Sequence, residues 1–148
     1  MTAPEQTRPP RGLLALALLG LAMVACATLA MPWPADPAGT GPALVPHWQR
    51  LLATGGTVGS PGLDWVLRRV WDAVHYLLVL GGLGLATWAA LRDDPLPWLG
   101  LVAVGALGVF YTAGQVLYNG PLVAAPGYLL VLFAATLATL NRPGGAAD

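Results

Sequence analysis

The chain has 148 residues, of which 56% are hydrophobic and only 9% are charged, with seven arginines, seven acidic residues and no lysine. A soluble domain carries about a quarter of its residues as Asp, Glu, Lys and Arg, so this composition argues against a water-soluble globule. Its apolar content also excludes a disordered chain. A net charge of zero without a basic run leaves little to hold phosphates, and we expect no nucleic acid partner.

Four apolar runs of the chain contain no charged side chain. They occupy residues 13–31, 73–91, 98–118 and 122–140. A helix needs about 20 residues to cross the hydrocarbon of a bilayer, and a helix satisfies its own backbone polar groups in lipid. The sequence therefore predicts an all-α membrane protein, a four-helix transmembrane bundle in which these runs are the spans.

The connections and the arginines predict the topology. Residues 92–97 and 119–121 are short polar turns, so the last three spans are antiparallel neighbours. Arginines are slightly more frequent in the tails and the first turn than in the long loop, 32–72, which favours cytoplasmic tails at 1–12 and 141–148. The arginine-only basic content suggests a GC-rich bacterial genome, and hence the bacterial plasma membrane.

The first span has an alternative interpretation. Arg8 and Arg11, an apolar core and residues 23–26 resemble a signal peptide that ends in a degenerate lipobox at Cys26. The apolar run continues through residues 27–31, which is longer than the roughly 7–15 residues of a signal-peptide core and favours a retained helix. Cys26 is the single cysteine, which excludes an intramolecular disulfide.

The loop at 32–72 is the only sizeable segment outside the predicted spans. Its first half is rich in Pro, Gly, Ala and Thr, and we expect turns or coil there. Ser60 and Pro61 then start an amphipathic helix at about 61–72, interpreted as an interfacial helix, with a docking surface as the alternative. A third alternative is that this helix runs straight into the second span as one continuous helix. The candidate contact residues are Trp65, Arg68, Arg69, Trp71 and Asp72.

Catalytic apparatus is not evident in the sequence. The spans contain no Asp, Glu, Lys or Arg that could move protons or couple to ions, and two histidines do not supply a closed zinc site. The glycines at 81, 82 and 84 lie inside a span, and Gly82, Ala86 and Ala90 predict a small-residue packing face. We therefore expect a protein that is not an enzyme.

One polar cluster is predicted in the outer half of the spans, where antiparallel neighbours bring side chains to a similar depth. Its members are His75, Tyr76, Thr112, Gln115, Asn119 and Tyr128. The simpler interpretation is a set of interhelical hydrogen bonds. The functional interpretation is a cofactor pocket for a quinone or a haem edge, or a lipid site, with His75 as ligand or donor.

Two hypotheses follow from these patterns. The first is an accessory or scaffold subunit without a cofactor, whose partners are the lipid bilayer and, through the outer loop, another membrane protein or a second copy of itself. The alternative is a membrane subunit of a redox complex that binds haem or quinone at the cluster around His75.

Overall fold

The computed structural model describes residues 11–30, 32–34, 44–46, 63–92, 94–117 and 124–141. In chain order these residues form α1 (Arg11–Ala30), β1 (Pro32–Pro34), β2 (Leu44–Pro46), α2 (Leu63–Leu91), α3 (Leu96–Leu117) and α4 (Ala125–Leu140). The prediction of a helical protein with four helices is confirmed, and one pair of short strands is added to it.

Three of the helices are long and apolar enough to cross a membrane. They are α1, the segment Ala73–Leu91 of α2 and the segment Leu96–Gly114 of α3. The fourth, α4, is a shorter apolar helix of 16 residues. This pattern indicates a membrane protein. The start predicted for the fourth span, at residues 122 and 123, lies outside the described residues.

Helix α2 corrects the interpretation of the amphipathic segment. From Leu63, the first described residue of this region, the helix predicted at about 61–72 and the span predicted at 73–91 form one continuous helix of 29 residues. No proline interrupts the stretch from Leu63 to Leu91, and its first glycine is Gly81, so nothing breaks the helix where it enters the span. An interfacial helix must turn into the plane of the bilayer surface, and α2 has no such turn.

The two strands replace part of the coil predicted after the first span. They are antiparallel, with Trp33 opposite Val45 and Pro32 opposite Pro46. Because proline has no N–H, Trp33 and Val45 are the one pair in this register in which both residues can donate to the ladder. Prolines were interpreted as turn signals, whereas here they occupy strand positions. Because they have no N–H, they oppose the addition of a further strand.

The four helices pack in a closed cycle around a shared interior. Helix α1 contacts α2 and α4, and α3 also contacts α2 and α4. One apolar cluster, which includes Leu21, Trp98 and Val131, fills the interior near the turn between α2 and α3. A second cluster, which includes Tyr111 and Tyr128, fills the opposite end.

Glycines bring the helix backbones close together. Gly20 of α1 and Gly127 of α4 face each other, and a Cβ built on either would lie 2.6 Å from the carbonyl oxygen of the other. A Cβ on Gly105 of α3 would lie 2.7 Å from the backbone of Leu132 in α4. Lipid tails are as apolar as the helix surfaces, so the hydrophobic effect does not drive helices together in a bilayer. Close backbone contacts of this kind stabilise the helix pairs through dispersion and polar interactions instead.

The small-residue face predicted on α2 is only partly the packing face. Gly82 and Ala86 are buried in the interior as expected, but Ala90 is exposed and Ala89 is buried instead. The other glycines of this run, Gly81 and Gly84, have open space where a Cβ would be. The packing face of α2 therefore continues from Ala86 to Ala89, three residues further on, and not to Ala90 as the four-residue repeat predicted.

The contact between Gly20 and Gly127 generates a first prediction. Gly20→Ala and Gly127→Ala should each lower stability, because overpacking a core costs about 1–3 kcal/mol and outweighs the roughly 1 kcal/mol that alanine gains over glycine in a helix. Gly81→Ala is the matched control and should be neutral or stabilising, since a Cβ there meets nothing within 4 Å. The measurement is the Tm of purified protein in detergent. Equal Tm values for all three variants would contradict the close contact.

The packing of α1 also predicts how the chain is processed. Ala17, Gly20 and Leu21 precede Cys26 and are fully or nearly fully buried against the other helices. Cleavage before Cys26 would remove this part of the core, so we expect the mature protein to retain it. The intact mass of protein purified from membranes checks this. A mature chain that begins at a lipidated Cys26 would show the prediction to be wrong.

Candidate functional site around His75

The buried side chain of His75 connects three helices. His75 lies on α2 and is fully buried. Its Nε2 atom lies 2.5 Å from the Oγ1 atom of Thr28 on α1, and its Nδ1 atom lies 3.0 Å from the hydroxyl of Tyr128 on α4. The ring therefore bridges α1, α2 and α4 at the end of the helices nearest the strand pair.

The hydrogen-bond pattern assigns the proton on the ring. The Thr28 hydroxyl donates to the carbonyl oxygen of Val24 at 2.7 Å. A hydroxyl has one proton to donate, so the Thr28 oxygen accepts from His75, and Nε2 carries the N–H. The lone pair on Nδ1 then accepts from the Tyr128 hydroxyl. This arrangement is the neutral Nε2–H tautomer, with both ring nitrogens engaged by the protein.

Aromatic rings surround the imidazole. The ring of Tyr111 stacks on it, with centroids 4.9 Å apart and planes 24° apart. The rings of Tyr76 and Tyr128 each meet it edge-on, at 5.9 Å and 81°. The Tyr128 ring fits because its neighbour on α3 is Gly108, where a Cβ would clash with the ring. The imidazole is thus held by stacking as well as by hydrogen bonds.

The structure brings some predicted members of the polar cluster together and separates one. His75 and Tyr128 are hydrogen-bonded, and Tyr76 touches His75 by its ring. Thr112 is buried, but its hydroxyl donates to carbonyls of its own helix, those of Gly108 and Val109, at 3.1 and 2.9 Å. The side chain of Gln115 and the whole of Asn119 lie outside the described residues.

Two members of the site were missed in the sequence. Thr28 is the only hydroxyl in the first apolar run, and it lies three residues from the end of that run, much as His75 lies near the start of the second. The similar depth of Thr28 and His75 in their apolar runs could have indicated that the two side chains meet. Tyr111 directly precedes Thr112, but its role depends on how α3 is rotated against α2, which the sequence pattern does not contain.

The candidate contact residues all belong to the part of α2 that precedes its apolar span. Trp65, Arg68, Arg69, Trp71 and Asp72 lie within the helical stretch 63–72, and their side chains lie outside the described residues. At 1.5 Å per residue this stretch extends about 15 Å beyond Ala73. His75 is located just after it, inside the span.

The geometry limits the chemistry that His75 can perform. A haem iron needs a free imidazole lone pair, and Nδ1 already accepts from Tyr128. A quinone carbonyl needs a donor, and the Nε2–H already donates to Thr28. Among the described residues no group of three His, Cys, Asp or Glu side chains is placed to hold a metal ion. The observed arrangement is that of a structural connection between helices.

Single substitutions test this connection. Thr28→Val should lower the free energy of unfolding by about 1–3 kcal/mol, because it leaves the buried Nε2–H without an acceptor, and Tyr128→Phe should do so by leaving Nδ1 without a donor. Thr139→Val is the matched control, since the Thr139 hydroxyl makes the same kind of bond within its own helix, 2.8 Å to the Ala135 oxygen. Denaturant unfolding in detergent is the measurement. An equal effect of Thr28→Val and Thr139→Val would contradict the connection.

Comparison of the chain with protein-family models, with curated proteins and with solved structures finds no match. Function is therefore inferred from the residues and their geometry.

Proposed function

We propose that the chain is a small multi-pass protein of the bacterial plasma membrane that acts as an accessory or scaffold subunit and not as an enzyme. Its four helices form a transmembrane bundle with both termini in the cytoplasm, and residues 32–72 face the extracytoplasmic side. The observation that carries the proposal is the continuity of α2 from Leu63 to Leu91. An unbroken helix projects residues 63–72 about 15 Å beyond the apolar span.

The composition of the projection suits a protein partner. It carries Asp64, Arg68, Arg69 and Asp72, together with two tryptophans. Hydrocarbon does not solvate such charges, and a helix that continues the span does not lie along the headgroups. Tryptophan and arginine are the residue types that most often dominate binding energy at protein interfaces. The projection is thus the part of the chain best suited to contact another protein outside the bilayer.

The connection at His75 supports the same function. It lies three residues after Asp72, at the base of the projection, and bonds α2 to α1 and α4. A projection with a fixed base keeps one direction relative to the membrane, which reduces the entropy that a partner must remove on binding. No described contact favours the haem or quinone alternative, because both ring nitrogens of His75 have protein partners.

Site-specific photocrosslinking tests the proposal. A photoreactive phenylalanine analogue at Trp65, in cells that express the full chain, should give one discrete protein adduct in the membrane fraction. The same analogue at Phe133, which is 57% exposed on α4 and faces outward from the core, is the matched control and should give none. Arg68→Ala with Arg69→Ala should reduce the Trp65 adduct severalfold, because those two cations contribute to the contact surface.

A chain that fractionates as a soluble protein would contradict the proposal, and so would equal adducts at Trp65 and Phe133. A purified protein with a visible Soret band or bound quinone that is lost in His75→Ala would also contradict it, since this would favour the redox alternative.

A further inference from the structure

We draw no further inference here: the strongest candidate, the indole N–H of Trp98, lies fully buried in the apolar cluster near the turn between α2 and α3 without a hydrogen-bond partner among the described residues, and since every other side chain of that cluster is apolar, nothing in the described structure shows what it would bind.

Discussion

A buried imidazole needs two hydrogen-bond partners inside the protein, because hydrocarbon offers none. His75 finds them in Thr28 and Tyr128, on two helices that are far from it in sequence. The close contact of α1 and α4 at Gly20 brings those two helices together, and a glycine on α3 leaves room for the Tyr128 ring. The polar connection and the glycine contacts therefore depend on each other, since each requires the backbone spacing that the other maintains.

This constraint sets what α2 presents to its surroundings. One side of the helix is committed to the interior through His75 and Gly82. The rotation of the helix is then fixed, so its exposed residues, among them Val70, Leu77 and Leu80, face away from the other helices. The helix also continues past its apolar segment, Ala73–Leu91, to Leu63 and is ten residues longer than that segment.

The sequence predicted what depends on local pattern and missed what depends on packing. Charge-free runs mark the helices because hydrocarbon penalises charge, and the number of helices follows from them. The period of an amphipathic segment does not say whether the chain bends at Ala73, so the continuity of α2 had to be observed. His75 and Tyr128 were recognised because polar groups are rare in apolar runs. Thr28 was not recognised as their partner, and Thr112 bonds to its own helix instead, since a side chain's choice between its own backbone and a neighbouring helix is decided by geometry.

The nitrogen NMR spectrum of the histidine side chains in bilayers tests directly whether His75 makes its hydrogen bonds to Thr28 and Tyr128. The chain has two histidines, so a His47→Gln variant leaves His75 alone. The hydrogen bonds of His75 predict one protonated and one unprotonated ring nitrogen, with Thr28→Val shifting the first and Tyr128→Phe shifting the second. Two protonated nitrogens would contradict the account. So would resonances that ignore both substitutions but move when haem or a quinone is added.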